Sequence, residues 1–152
     1  HKNHAKLLKA VWRCADLGHF PRVALTIDRN VNPEIERLSN CCEAAGAKVT
    51  YTGNLQHNAA TCLLQSSRFA IFPSFIETIG LGIVEAIHAG RDVLVSDRDW
   101  VDEICTPSIR FDPESPNAIA EAMIRALDAP ALPKSHIIIE NRIDEFIDHL
   151  FA

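Results

Sequence analysis

The chain has 152 residues, of which 47% are hydrophobic and 23% are charged, and its formal net charge is −5. This composition is ordinary for a single soluble globular domain, and the negative charge argues against nucleic-acid binding, which needs a basic face. No apolar run approaches the roughly 20 residues that span a bilayer.

The cysteines and histidines argue against disulfide bonds and against a metal site. The five cysteines are odd in number and show no C-x-x-C spacing, which is typical of reduced thiols in a cytoplasmic protein. None of the seven histidines falls in a ligand-like cluster with cysteines or carboxylates, so we expect no metal. The start at His1 and the helical pattern directly after it predict a piece of a longer protein.

Short apolar runs alternate with amphipathic stretches along the chain. The predicted helices cover 5–17, 33–45, 59–65, 79–89, 100–105, 115–127 and 135–150. The predicted strands cover 23–27, 48–52, 69–72, 92–96 and 109–111. Because these strands are continuously apolar, the pattern predicts an α/β fold, a Rossmann-like parallel sheet with helices on both faces. Ligands bind such folds at the carboxyl ends of the strands.

Two glutamates follow the predicted strand 69–72. Glu77 and Glu85 have seven residues between them and would lie roughly 12 Å apart along one helix, too far to share a proton or a metal. Gly80 and Gly82 lie between them near a helix N-terminus, where anions are favoured. Hydroxyl-binding carboxylates at both ends of an anion site suit a nucleotide diphosphate bearing a sugar.

This stretch resembles the donor-site motif of the retaining, nucleotide-sugar-dependent glycosyltransferases of family 4, also called group 1, which have the GT-B fold. The matching positions are Pro73, Ser74, Glu77, Thr78, Ile79, Gly80, Leu81, Glu85, Ala86 and Gly90. The likeness continues through 93–97, 102–104 and 111–113. It covers nearly the whole chain, and only as the C-terminal, donor-binding half. It implies that residues 1–152 lack the first strand of that half and the acceptor domain.

The resemblance assigns roles to both glutamates and to the turn between them. Glu77 would contact the hydroxyls of the donor sugar and stabilise charge developing at its anomeric carbon. Glu85 would accept hydrogen bonds from two vicinal ribose hydroxyls. The backbone N–H groups of Ile79, Gly80 and Leu81 would bind the diphosphate. Residue chemistry alone also allows simpler interpretations. Glu77 can be a solvated loop carboxylate, Glu85 an exposed helix glutamate, and the glycines simple turn residues.

Lys2 and Leu55 complete the donor site that the resemblance implies. Lys2 matches a lysine that pairs with the donor diphosphate in place of a metal ion, and Leu55 lies in a loop whose backbone touches the nucleobase. On its own chemistry, Lys2 also fits a mobile surface charge, and Leu55 fits a plain loop-anchoring leucine better than a nucleobase contact. The chain departs from the family pattern at Thr78, Gly82 and Asp92, where glycine or serine, proline and proline are usual.

The function implied is the donor-binding half of a retaining hexosyltransferase in polysaccharide biosynthesis. It would transfer sugar from a nucleotide diphosphate sugar to a glycan or lipid-linked acceptor, without a metal or other cofactor. We expect a cytoplasmic protein with peripheral membrane association at full length. The isolated chain would bind nucleotide weakly and transfer nothing. The alternatives are a non-catalytic sugar-nucleotide-binding module and a GT-B sugar-nucleotide epimerase.

Overall fold

The computed structural model describes residues 1–139, which form alternating helices and strands as predicted. The helices are α1 (His4–Asp16), α2 (Pro33–Ala44), α3 (His57–Ser66), α4 (Leu81–His88), α5 (Val101–Ile104) and α6 (Pro116–Asp128). The strands are β1 (Arg22–Leu25), β2 (Lys48–Tyr51), β3 (Phe69–Phe72), β4 (Asp92–Ser96), β5 (Cys105–Thr106), β6 (Ile109–Phe111) and β7 (His136–Ile137). No helix in this part of the chain has the length and apolar character to cross a membrane.

All five predicted strands pair in parallel. β1 pairs with β2, with Arg22 opposite Lys48, and β3, β4 and β6 form a three-stranded ladder in that order. The connections run through helices, as parallel neighbours require. The carboxyl ends of β3, β4 and β6 therefore lie at one edge of their ladder.

Strand β4 is covered by helices on both faces. Leu94 packs in a core cluster with residues of α1, α2 and α6, whereas Val93 and Val95 pack in a second cluster with residues of α4 and α5. Successive side chains of a strand point to opposite faces, so these two clusters lie on opposite sides of the ladder. All three side chains are fully buried, which explains the continuous apolar run in the sequence.

Two helices begin where the sequence places a capping residue before a proline. The side chains of Asn32 and Ser115 accept hydrogen bonds from the N–H groups of Ile35 and Ala118, and a proline occupies the first position of each helix. Proline lacks the N–H that would otherwise go unpaired there. These two starts agree with the sequence prediction.

The predicted final helix, 135–150, is wrong over its first residues. Strand β7 pairs antiparallel with β5, and the N–H of Ile138 donates to the carbonyl of Ile104. Backbone bonds to a neighbouring segment thus replace the first helical turn. Residues 140–152, which carry most of the predicted apolar stripe, lie outside the described residues.

The extended segment is held at the amino end of β4 by Asp92 and Ser135. The carboxylate of Asp92 accepts hydrogen bonds from the N–H of Ser135 at 3.2 Å and from Nζ of Lys134 at 3.1 Å. The buried hydroxyl of Ser135 accepts from the N–H groups of Val93 and Ser108. Asp92, which departs from the family pattern, therefore has a structural role far from the carboxyl end of its strand.

Candidate functional site

Glu77 is the centre of a polar cluster beyond the carboxyl end of β3. Its Oε1 accepts hydrogen bonds from Nζ of Lys2 at 2.6 Å and from the hydroxyl of Ser74 at 2.7 Å. The Glu77 side chain is only 12% exposed, whereas that of Lys2 is 48% exposed. No protein group within residues 1–139 hydrogen bonds to Oε2 of Glu77, so one carboxylate oxygen stays available to a ligand.

Lys2 is fixed by backbone and side-chain contacts on both sides. The carbonyl of His1 accepts a hydrogen bond from the N–H of Phe75 at 2.9 Å. The amide of Asn3 donates to the carbonyls of Pro73 and Pro113 at 3.0 and 2.9 Å. Asn3 has a φ of 58°, a left-handed conformation that asparagine adopts more readily than most residues. Lys2 is therefore held against the loop that carries Glu77.

The loop from Pro73 to Gly80 is anchored at its middle and at its end. The indole N–H of Trp100 donates to the carbonyl of Phe75 at 3.2 Å. Gly80 has a φ of 65°, and a Cβ built there would lie 2.6 Å from Cδ1 of Ile104. Only glycine satisfies both the left-handed backbone and this close approach.

Helix α4 begins at Leu81, two residues later than predicted, because Gly80 is left-handed. Ile79, the first residue of the predicted helix, therefore lies outside α4, and it is 61% exposed. Within residues 1–139, the N–H groups of Ile79, Gly80 and Leu81 donate to no protein acceptor. These three donors precede or begin a helix, where the backbone favours an anion.

Glu85 lies on the second turn of α4 and contacts a different partner from Glu77. Its Oε1 lies 3.3 Å from Nδ1 of His57, the first residue of α3, and its side chain is 33% exposed. The two glutamates therefore form separate sites, as their spacing predicts. Leu55, half-buried, lies two residues before His57 in the loop between β2 and α3.

The sequence predicted no individual role for Ser74 or Asn3, and His57 was interpreted as a surface or capping histidine rather than a proton donor. The Pro-Ser pair directly after the predicted strand 69–72 is a usable signal for Ser74, since a hydroxyl at the carboxyl end of a strand lies near the loop that follows. The contacts of Asn3 and His57 join residues far apart in the chain, to Pro113 and Glu85, so local pattern gives no sign of them.

Two surface cavities lie away from these residues. One, of about 290 Å³, is lined by residues of α1, α2 and α6 that include Trp12, Arg13 and Arg37. The other, of about 240 Å³, lies around Asp92 and Lys134. In the described part of the chain, no group of three or more histidine, cysteine, aspartate or glutamate side chains is placed to hold a metal ion.

Comparison with known structures shows the fold. A sucrose-phosphate synthase from Thermosynechococcus elongatus is 21% identical with a TM-score of 0.63, and a UDP-forming α,α-trehalose-phosphate synthase from Burkholderia xenovorans is 17% identical with a TM-score of 0.60. Each match covers 85% of this chain and 34% of the other. The chain thus spans about a third of these proteins, and it shares the Rossmann-like α/β fold of a GT-B domain with them.

No curated protein matches the chain. The family model for "Glycosyl transferases group 1" matches residues 1–129, which contain Lys2, Leu55, Glu77, the turn at Gly80 and Glu85. The match thus extends over most of the chain and agrees with the resemblance in the sequence. The chain therefore belongs to the glycosyl transferases of group 1.

Proposed function

We propose that this chain is the donor-binding half of a retaining hexosyltransferase that takes a nucleotide diphosphate sugar as donor. The observation that carries the proposal is the contact between Lys2 and Glu77. It joins a cation to a mostly buried carboxylate beyond the carboxyl end of β3, where ligands bind parallel sheets, and this supports a donor site for the diphosphate and the sugar. Family membership supports the class of enzyme, and this pair supports the proposed position of the donor.

Glu77 contacts the donor sugar in this proposal. Its Oε1 is fixed by Lys2 and Ser74, so Oε2 can accept a sugar hydroxyl in a defined orientation. A carboxylate held before the reaction stabilises positive charge that develops at the anomeric carbon as the bond to phosphate breaks. Glu77 is thereby an electrostatic and positioning group rather than a nucleophile.

Lys2 and the N–H groups of Ile79, Gly80 and Leu81, which have no acceptor within residues 1–139, stabilise the charge of the diphosphate. A lysine ammonium and a set of preoriented backbone donors supply the charge stabilisation that a metal ion gives in other transferases. Glu85 binds the ribose, and the loop carrying Leu55 borders the nucleobase. We therefore propose a reaction without a metal or other cofactor.

The full-length protein carries more of this domain and an acceptor domain before residue 1. Among residues 1–139, β1 hydrogen bonds only to β2, and β3 only to β4. Each thus presents one edge to which a further parallel strand can bind, and α1 would connect that strand to β1. The acceptor is a glycan or a lipid-linked sugar, as in polysaccharide biosynthesis, handled by a cytoplasmic enzyme that associates peripherally with a membrane.

The test uses the full-length protein, with uridine and guanosine diphosphates for binding and the corresponding sugar nucleotides for transfer. Glu77→Ala should abolish transfer while nucleotide binding persists, and Glu85→Ala should weaken nucleotide binding. Glu34→Ala is the control. Glu34 also pairs with a lysine, since its Oε1 lies 3.3 Å from Nζ of Lys9, but this pair is remote from the site.

Three other results would contradict the proposal. Binding without transfer by the wild-type protein across acceptors would indicate a non-catalytic module. Conversion of the sugar nucleotide to its epimer without an acceptor would indicate an epimerase. Turnover by the isolated 152-residue chain would show that the acceptor domain is not required.

A further inference from the structure

The contact between His57 and Glu85 joins the two elements that border the proposed nucleoside site. Glu85 lies on α4, whose start carries the phosphate-binding turn, and His57 opens α3 directly after the loop of Leu55. Nδ1 of His57 lies 3.3 Å from Oε1 of Glu85. From Leu81 to Glu85 the helix rises about 6 Å, so the ribose carboxylate follows the phosphate turn on the same helix.

Helix α3 contacts the second core cluster through the partly buried Leu64, seven residues after His57. Helix α3 has no buried residue, and the His57 side chain is 74% exposed. Gln56, which precedes the helix, makes no side-chain capping bond. The Glu85 side chain is the group to which His57 is directed, and it is half as exposed as the imidazole. The pair is therefore a polar contact between α3 and α4 at the start of α3, separate from the core contact of Leu64.

We infer that His57 is a positioning residue for nucleotide binding, which orients the carboxylate of Glu85 toward the two vicinal hydroxyls of the ribose. With Nδ1 3.3 Å from Oε1, the imidazole restricts rotation of the carboxylate and leaves Oε2 directed to the ligand. A carboxylate has several acceptor positions, so one contact with histidine leaves enough for two hydroxyls. This inference rests on the proposed function, because it requires Glu85 to be the ribose ligand.

The ribose hydroxyls give a test that is specific to this role. We would titrate the full-length protein with whichever of uridine and guanosine diphosphate binds, and with its 2′,3′-dideoxy analogue. His57→Ala should weaken binding of the ribonucleotide about 2- to 10-fold, the effect of one modest polar contact, and leave the dideoxy analogue unchanged. His57→Asn, whose amide can donate from nearly the same place, should restore most of the affinity.

Two controls separate positioning from other effects. In a Glu85→Gln background, His57→Ala should cause no further loss, because its effect acts through that carboxylate. His19→Ala is the matched surface variant, since His19 faces Asp128 at 3.7 Å and is remote from α4. It should leave the affinity for both nucleotides unchanged.

The outcomes distinguish this inference from the proposal it rests on. Equal weakening of ribonucleotide and dideoxy analogue by His57→Ala, or no weakening of either, would overturn the role of His57 while nucleotide binding stands. Additive losses from His57→Ala and Glu85→Gln would also overturn it. Failure of the wild-type protein to bind any nucleoside diphosphate would overturn both.

Discussion

Lys2 and Glu77 are 75 positions apart in the chain, and yet Nζ of the first lies 2.6 Å from Oε1 of the second. A lysine ammonium has three N–H donors, so Lys2 can keep its bond to Glu77 and also contact a diphosphate. In the proposed donor site, the pair would link the groups that bind the phosphates to those that bind the sugar.

Replacing Lys2 by alanine should lower the affinity for a nucleoside diphosphate about 10- to 100-fold, since a hydrogen bond to a charged group contributes about 1.5–3 kcal/mol. The corresponding nucleoside, which lacks phosphate, should bind equally well to both proteins. Calorimetric titration at two salt concentrations measures this, and the salt dependence should decrease in the variant. Lys9→Ala is the control, and equal losses for nucleoside and diphosphate would contradict the assignment.

Replacing Ser74 by alanine should reduce transfer more than donor binding. The hydroxyl of this buried serine fixes Oε1 of Glu77 at 2.7 Å, and its loss lets the carboxylate move where the sugar reacts. We expect kcat to fall about 10-fold, equivalent to one hydrogen bond of about 1.4 kcal/mol, with KM for the donor little changed.

Ser96→Ala is the matched control for that substitution. Ser96 is equally buried on the neighbouring strand, and its hydroxyl donates to the carbonyl of Phe72 at 3.3 Å without contacting Glu77. Both variants should lose a similar free energy of unfolding. A parallel loss of kcat in both would show that Ser74 acts through stability alone.

Replacing Gly80 by alanine should destabilise the protein and weaken diphosphate binding together. The left-handed backbone costs a non-glycine residue about 1–2 kcal/mol, and the new Cβ would also meet the side chain of Ile104. Gly18→Ala separates the two effects, because Gly18 has a φ of 84° but open space around it. Urea unfolding should show a larger loss for Gly80→Ala, and only that variant should lose nucleotide affinity.

Periodicity and composition predicted most of the fold because the local pattern and the tertiary packing agree. The run at β4 is apolar on both faces, as Val93 and Leu94 pack in different core clusters. The late start of α4 was missed, since apolar spacing at Ile79 continues past the left-handed Gly80. The strand at His136 was missed for another reason: its partners, Cys105 and Thr106, are distant in sequence.

For the site, the family motif led to Glu77, Glu85 and the turn between them, but their partners depended on tertiary structure. Lys2 is brought to Glu77 by the contacts of Asn3 with Pro73 and Pro113, which no local pattern reveals. Its role in binding a diphosphate stays a prediction, as does that of Leu55.

Native thiol labelling should distinguish the cysteines by burial. Burial raises the pKa of Cys14, Cys42 and Cys105 to about 11, so about 0.1% of each is thiolate at pH 8. Cys62 is exposed and Cys41 half-buried, and all five are free. A thiol reagent should modify Cys62 first, then Cys41, and the other three only on unfolding. As a control, the fastest phase of labelling should be absent in Cys62→Ser. Equal labelling rates for all five cysteines would contradict the packing.

Replacing Asp92 by alanine should release the segment that contains β7 and leave the donor site intact. The Asp92 carboxylate is 14% exposed and accepts from Ser135 and Lys134, at the end of β4 opposite to Glu77. Without the carboxylate, the N–H of Ser135 loses its acceptor. If that N–H stays buried, the free energy of folding becomes less favourable by about 1–3 kcal/mol. Amide exchange of Ile138, which donates to Ile104 at 2.8 Å, should then accelerate, with nucleotide affinity unchanged.

Asp97→Ala is the control for that experiment, because Asp97 lies just past the carboxyl end of the same strand and pairs with Arg110 at 3.6 Å. It should leave exchange at Ile138 as in the wild type. Unchanged exchange in Asp92→Ala would mean that the β5–β7 bonds and the hydroxyl of Ser135 hold the segment without the carboxylate. An aspartate in place of the family's usual proline would then have no structural effect on the segment beside it.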